Sequence, residues 1–394
     1  MARLKADLKM NIYIIIILLV IILVYLVGGK QTYIVYNRSV SYNKKPLLES
    51  VALYFIAIFL IIVSAIRYGI GTDYLVYERA YNYSDFENFD FLYKLTYKIL
   101  KAFNLPYQAF IILTALISIG LITYLILKTK GINRIFSIVV FLGLNYYGMS
   151  FNMFRQFSSI CIVMFAVYCY SQKKVIVAIS LYIVAMGFHM SALLTFPVVI
   201  FLLFFKAERK SIIFLSTIAI VMFLVVPTSL TGNIVQYFLI HSGRFSEYLN
   251  ATDTFALRTF NQGLSRTNTI LFLPNIILIA KILCDKDYLN TKSVYIQYCL
   301  KIMYMYILII SFKIGSEMID RFLTYFSITC VWVYPVIENY LKYKYSKTLG
   351  NIYKLIIILI CSYTLIYQLN ANVYQIVPYK TIFSNNLQSI IQDN

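Results

Sequence analysis

The chain has 394 residues, 61% of them apolar and 13% charged, with a mean hydropathy of +0.76. A soluble globule carries about 25% charged residues, so that class is excluded, and disorder is excluded by the apolar content. The formal net charge of +19 comes from 35 Lys and Arg against 16 Asp and Glu; in so apolar a chain such an excess sorts across a bilayer and is no sign of nucleic-acid binding.

Twelve apolar spans follow in chain order: 11–28, 47–66, 107–127, 135–150, 154–171, 175–188, 190–205, 211–227, 267–284, 294–312, 319–338 and 351–369. A helix of about 20 residues crosses a bilayer. The runs are continuous and do not alternate, which excludes a β-barrel. The expected fold is an all-α polytopic membrane protein of about twelve transmembrane helices, forming a single transmembrane domain over 1–394. Residues 1–9 precede Met10 and read as an extension outside the fold. The first span lacks a small-residue cleavage site and reads as a retained anchor. The six cysteines show no ligand or redox spacing and read as packing residues.

Two long polar stretches interrupt the spans, 67–106 and 228–266. In the first, Leu92, Leu95, Ile99 and Phe103 recur at helical spacing, with Lys94, Lys98 and Lys101 opposite. That pattern predicts a helix lying in the membrane interface. Alternating the loops places Lys30, Lys44, Lys45, Lys128, Lys130, Lys173, Lys174, Lys206, Lys281, Lys292 and Lys342 on one face, which the positive-inside rule makes cytoplasmic. Both long stretches, and both termini, then face outward, against which the basic residues of 1–9 argue.

Arginine concentrates on the outer face: Arg67, Arg79, Arg155, Arg244, Arg258, Arg266 and Arg321. A charge that reaches the hydrocarbon core costs about 2.5–3.5 kcal/mol, and arginine grips phosphate oxygens with a planar fork. The pattern points to an outward cavity that binds a phosphate or pyrophosphate. The plainer reading is pairing with outer acids or snorkelling to headgroups.

Five clusters carry the candidate chemistry. Arg67-Tyr-Gly-Ile-Gly-Thr-Asp73, with Tyr77 beyond it, ends the second span, and its two glycines permit a sharp turn that draws Arg67 toward Asp73. Arg67 would hold phosphate and Asp73 would accept a proton or orient an arginine; the alternative is a structural ion pair. Arg155 and Gln156 open the fifth span, where a cation opposes the helix dipole unless an anion is bound there. His189, between the sixth and seventh spans, is either a general base or a satisfied structural histidine. Arg244, Arg258 and Arg266 lie in or beside the second long loop. Arg321 and Tyr325 open the eleventh span, with Glu317 one turn before Arg321 and placed to pair with it. No nucleotide fingerprint and no acid pair suited to a divalent metal occurs, so no cofactor and no metal is expected.

In this order the clusters resemble the EpsG family of bacterial membrane proteins, relatives of the Wzy O-antigen polymerases. The matching features are Arg67-x3-Gly71-Thr72-Asp73-x3-Tyr77, Arg155-Gln156, Phe188-His189-x-Ser191-Ala192, Gly243-Arg244-Phe245 with Tyr248, Arg321-x3-Tyr325-Phe326, and Val377-Pro378-Tyr379-Lys380. The resemblance implies a membrane glycosyltransferase in the bacterial cytoplasmic membrane, with the many-helix, GT-C-like architecture of lipid-linked-sugar transferases and an outward site. It would make exopolysaccharide, capsule or O-antigen by moving a growing glycan from undecaprenyl pyrophosphate onto a lipid-linked repeat unit. Under that reading Arg67, Arg155, Arg244 and Arg321 bind pyrophosphate, and His189 or Asp73 assists deprotonation. Gln156, Tyr77, Arg258, Arg266 and Tyr325 touch substrate. The implied partners are the undecaprenyl-pyrophosphate-linked oligosaccharide, membrane lipids, a chain-length regulator and a flippase. An O-antigen ligase shares this chemistry with a different acceptor. A flippase needs charges through the midplane and paired halves, and neither pattern is evident.

Overall fold

The computed structural model describes residues 46–85, 89–197, 207–227, 266–313 and 317–383, with 201 and 205. The first predicted span, the loop 228–265 and the flanking termini lie outside the described residues, and with them Arg244 and Arg258. Every regular element among the described residues is helical.

The second predicted span is α1, Pro46–Ala65, and the polar stretch after it holds α2, Tyr74–Tyr83, and α3, Phe91–Ala102. Next come α4, Tyr107–Lys128, and the bent pair α5, Arg134–Gly143, and α6, Tyr146–Asn152. They are followed by α7, Phe154–Ser171, and α8, Val175–Phe188. A short 3-10 turn, Met190–Thr195, precedes α9, Arg209–Val225, and α10, Arg266–Cys284. The chain continues through α11, Lys286–Asn290, α12, Val294–Ile310, α13, Glu317–Ser327, α14, Cys330–Lys344, and α15, Lys347–Asn370.

Two of these, α4 and α15, are long and apolar enough to cross a bilayer, and α5 with α6 makes a third if the bent pair is one span. Shorter apolar helices run over Glu49–Ala65, Val175–Phe188, Asn268–Cys284 and Val294–Ile310. The expectation of twelve crossings is therefore met only in part, and three of the differences have local causes. The span 135–150 bends by 50° where Asn145 takes φ 60°, a left-handed conformation that Asn tolerates better than most residues. The span 319–338 breaks between α13 and α14, where the Thr329 hydroxyl donates to the Phe326 carbonyl at 2.6 Å and competes with the helical ladder. The span beginning at 190 opens as a 3-10 turn, and parts of its remainder lie outside the described residues.

The helix expected in the first long polar stretch is present as α3, and it is amphipathic in a way the apolar stripe alone did not convey. Its inward face is Tyr93 and Tyr97, both fully buried, whereas Leu95, Ile99 and Phe103 are 40%, 47% and 73% exposed. A stripe of that kind, beside Lys94, Lys98 and Lys101, suits a lipid surface.

The fold comprises two compact units. One holds the described residues up to Tyr170, then 174–190, then those from Cys361 onward; the other holds Ser171–Lys173 and the described residues between Ser191 and Ile360. The first unit is built on an aromatic core of Tyr74, Tyr77, Tyr81, Tyr93, Tyr97, Tyr107, Phe110 and Phe154. Its rings meet mainly edge to face, for example Tyr93 with Phe110 at 4.8 Å and Tyr81 with Tyr97 at 4.9 Å. The phenols are wired inward: the Tyr93 and Tyr97 hydroxyls lie 2.7 Å apart, and Tyr81 donates to the Leu105 carbonyl at 2.7 Å. In the second unit Trp332 packs against Tyr295, and the fully buried Glu338 pairs with Lys342 one turn on at 2.6 Å. All six cysteines are free, and all but Cys284 are buried.

Candidate functional site

Arg67 follows the end of α1, and its side chain turns inward. It is 1% exposed. One terminal nitrogen, Nη1, donates to both the carbonyl and the hydroxyl of Ser64, each at 2.8 Å. The guanidinium carbon lies 4.9 Å from the centre of the Phe151 ring and 5.9 Å from that of Phe154. The other two nitrogens, Nε and Nη2, are buried without a hydrogen-bond partner. These two form the side-on edge of the guanidinium, the fork that matches a pair of anion oxygens. Stacking on rings returns about 1–2 kcal/mol, whereas each unmade buried bond costs about 1–3 kcal/mol. Burial pushes the Arg67 pKa down, and the neighbouring phenols Tyr74, Tyr107, Tyr147 and Tyr379 act in the opposite sense. A guanidinium starts so high that it stays charged.

The turn after Arg67 does not bring it to Asp73. Gly69 and Gly71 take φ 61° and 99°, as the sequence suggests, but the turn docks on α6 instead. The Thr72 hydroxyl donates to the side-chain oxygen of Asn152, which also accepts from the Asp73 backbone N–H at 3.4 Å. The Asp73 carboxylate accepts from Thr72 at 3.2 Å and does not cap α2. The expected meeting of Arg67 and Asp73 is thus replaced by separate anchors, Ser64 for one and Asn152 for the other.

Gly71 makes this docking feasible. A Cβ there would lie 2.8 Å from the Phe151 carbonyl oxygen, and the backbone sits at positive φ. Gly71→Ala is expected to destabilise the protein by about 1–3 kcal/mol through strain and the forced shift. Thermal unfolding in detergent micelles checks it, and an unchanged midpoint would count against the close approach.

A strap from the C-terminal part of the first unit closes the other side. The Tyr68 N–H donates to Lys380 and the Ile382 N–H to Ile66, each at 3.0 Å, so that Arg67 and Thr381 form an antiparallel bridge. The Tyr379 hydroxyl donates to the Val63 carbonyl. Asn372 holds Val377 by both its amide groups, at 2.7 and 3.0 Å. Sequence reading singled out Val377-Pro378-Tyr379-Lys380 as a motif without placing it here.

Arg155 opens α7 in an aromatic cage. Its guanidinium carbon lies 4.7, 4.9 and 5.1 Å from the ring centres of Tyr77, Phe89 and Tyr93. Nε and Nη2 both donate to the Tyr77 hydroxyl, at 2.9 and 2.6 Å, and Nη1 lies 3.4 Å from the Asp90 carboxylate. The side-on edge that is unpaired in Arg67 is therefore filled by a phenol in Arg155. The two arginines are joined through rings, since Phe154 lies beneath Arg67 and meets Tyr77 edge to face at 4.9 Å.

The remaining candidates divide as follows. His189 ends α8 and is half-buried; the next residue, Met190, donates its N–H to the second oxygen of Asp90 at 3.2 Å. Asp90 thereby links Arg155 to the His189 turn, and sequence reading missed it because an Asp before an apolar helix reads as a cap. Gln156 is buried beside Arg155 in sequence. Arg321 and Tyr325 belong to the second unit, where Tyr325 is buried and its hydroxyl is 3.1 Å from that of Ser191. The backbone of Arg266 opens α10, but its side chain lies outside the described residues, as does that of Glu317, the expected partner of Arg321.

The first unit thus carries Arg67 and Arg155 on linked aromatic rings, with Tyr77 and the His189 turn beside Arg155; one edge of the Arg67 guanidinium is buried without a hydrogen-bond partner, and Asp73, anchored separately near Asn152, makes no ion pair among the described residues. The family model described as the EpsG family matches residues 50–381. No curated protein and no solved structure matches the chain.

Proposed function

The chain belongs to the EpsG family, and from that premise we propose that it is a polysaccharide polymerase acting on lipid-pyrophosphate-linked glycans at the outer leaflet of the cytoplasmic membrane. The donor is a growing glycan on undecaprenyl pyrophosphate, and the acceptor is one repeat unit on a second such lipid. A hydroxyl at the acceptor's non-reducing end attacks the donor's anomeric carbon. The bond from that carbon to the pyrophosphate oxygen breaks, and the lipid pyrophosphate leaves with the electron pair. The hydroxyl proton passes to a base.

The observation that carries this reading is the unpaired Nε–Nη2 edge of Arg67, buried against Phe151 and Phe154. Negative charge grows on the departing pyrophosphate, and a preorganised fork in a low-dielectric setting stabilises it most where it grows. We place the base at Asp73, whose carboxylate accepts one hydrogen bond, from Thr72. His189 stands near Arg155 through Asp90 and orients the acceptor. Arg155, with its own fork filled by Tyr77, holds the aromatic wall and presents its remaining donors to the substrate.

Reconstitution tests the reading. Purified protein in vesicles is supplied with lipid-pyrophosphate-linked repeat units, chelator and no nucleotide, and the glycolipids are resolved on a gel. A ladder of lengths is expected. Unchanged single units, with folded protein and authentic substrate, would overturn the polymerase in favour of a ligase or a flippase.

A further inference from the structure

We infer that Asp90 is a positioning residue, which fixes the Arg155 guanidinium and the His189–Met190 turn in one arrangement and ties both to the membrane-facing helix α3. The inference rests on the glycosyl-transfer reading above, and extends it to a residue that no motif contains.

Asp90 occupies the N-cap position of α3, with extended backbone angles φ −61° and ψ 150°. An Asp there ordinarily accepts from the first free N–H groups of its own helix. Asp90 makes no such bond. Its backbone carbonyl begins the helix, accepting from the Lys94 N–H at 3.0 Å, while both carboxylate oxygens turn away. One faces Arg155 Nη1 at 3.4 Å, and the other accepts from the Met190 N–H at 3.2 Å. A carboxylate that forgoes its own cap to bridge two distant segments, 65 and 100 residues away, is spent on their relative placement.

The bridge is only partly enclosed: the side chains of Arg155 and Asp90 are 20% and 21% exposed. The rings of Tyr77, Phe89 and Tyr93 hold the plane of the guanidinium, but the Tyr77 hydroxyl is one point of attachment, about which the group can turn within that plane unless a second anchor persists. Asp90 supplies that second anchor. It also makes the position of Arg155 depend on α3, whose Leu95 and Ile99, with Phe103 just beyond its end, are exposed. Seating α3 on the bilayer and aiming Arg155 are one event.

The test uses the full chain in vesicles and two readouts. The first is the rate at which phenylglyoxal modifies Arg155, measured by peptide mass spectrometry with Arg134 as internal reference. Asp90→Asn keeps an acceptor for Met190 but loses the charge. It is expected to raise Arg155 labelling about threefold, since a charge-assisted bond is roughly twice as strong as a neutral one; Asp90→Glu is expected to restore part of the protection. The second readout is chain extension. For Asp90→Asn kcat is expected to fall about tenfold with KM within about twofold, the pattern of an interaction made in the transition state. Unchanged labelling of Arg155 in Asp90→Asn and Asp90→Ala overturns the inference. Raised labelling with undiminished kcat overturns its role in the reaction. If the wild-type protein extends no chains, the polymerase reading fails, and the labelling alone decides whether Asp90 holds Arg155.

Discussion

Arg67→Lys is expected to abolish chain extension as thoroughly as Arg67→Ala, with a loss of about a thousandfold or more. Removing one preorganised donor from a site of developing negative charge costs about 10²–10³ in rate, and here the fork supplies two. Lysine cannot replace it. The Arg67 anchor uses Nη1 on Ser64, at 2.8 Å to each oxygen, and leaves Nε and Nη2 parallel and unpaired. An ammonium has one nitrogen, so it either keeps the anchor or faces the anion. Arg67→Ala should reach the membrane in normal amount, because it removes a buried charge that has no carboxylate beside it, and Arg67→Lys should do so because its ammonium can keep the Ser64 anchor. The check is the reconstituted ladder assay on both variants alongside protein level and unfolding temperature. Appreciable extension by Arg67→Lys would rule out the two-pronged role.

Arg155→Ala is expected to be nearly as damaging, about a hundredfold or more in rate, for a different reason. Its guanidinium is the plate between Tyr77, Phe89 and Tyr93, at 4.7 to 5.1 Å from their centres. Truncation removes ring stacking worth about 1–2 kcal/mol when desolvated and leaves the Asp90 carboxylate without its ion pair. Arg155→Lys should also lose most activity, since no single ammonium reaches the Tyr77 hydroxyl by two bonds and Asp90 by a third. Here stability should fall as well, by about 1–3 kcal/mol, through the lost charged hydrogen bonds. That joint loss distinguishes Arg155 from Arg67, whose removal should not lower stability. Measuring unfolding and rate on the same preparations separates the two, and full activity in Arg155→Lys would exclude the role given to its planar edge.

Much of the helical content was legible because apolar runs are local. The spans read at 107–127, 154–171, 175–188, 211–227, 267–284 and 351–369 correspond to α4, α7, α8, α9, α10 and α15 within a few residues. Breaks were less legible, because Asn145 and Thr329 are tolerated in helices and act through conformations that composition does not reveal. The arginines were legible as costly residues near span ends, but their partners were not. Arg67 is set by Ser64, Phe151 and Phe154, two of which lie more than 80 positions away in the chain, so a short Arg-to-Asp spacing misled. Asp90 was hidden by its position, since a cap and a bridge look the same in sequence. Tyr74, Tyr77, Tyr81, Tyr93, Tyr97 and Tyr107 form one buried cluster, a convergence that their spacing along the chain did not reveal.

The bridge between Arg67 and Thr381 joins positions 314 apart in the chain, and that of Tyr379 to Val63 positions 316 apart. Translation runs in one direction, so this enclosure is among the last parts of the described chain that a ribosome can supply. Until then the backbone groups of Val63, Ile66 and Tyr68 lack the partners they have in the complete chain. The seal comes once the segment from Asn372 to Ile382 emerges and folds back. Enclosure of Arg67 is thus bound to the order of synthesis: its backbone bridge to Thr381 can form only when nearly all of the described chain has been made.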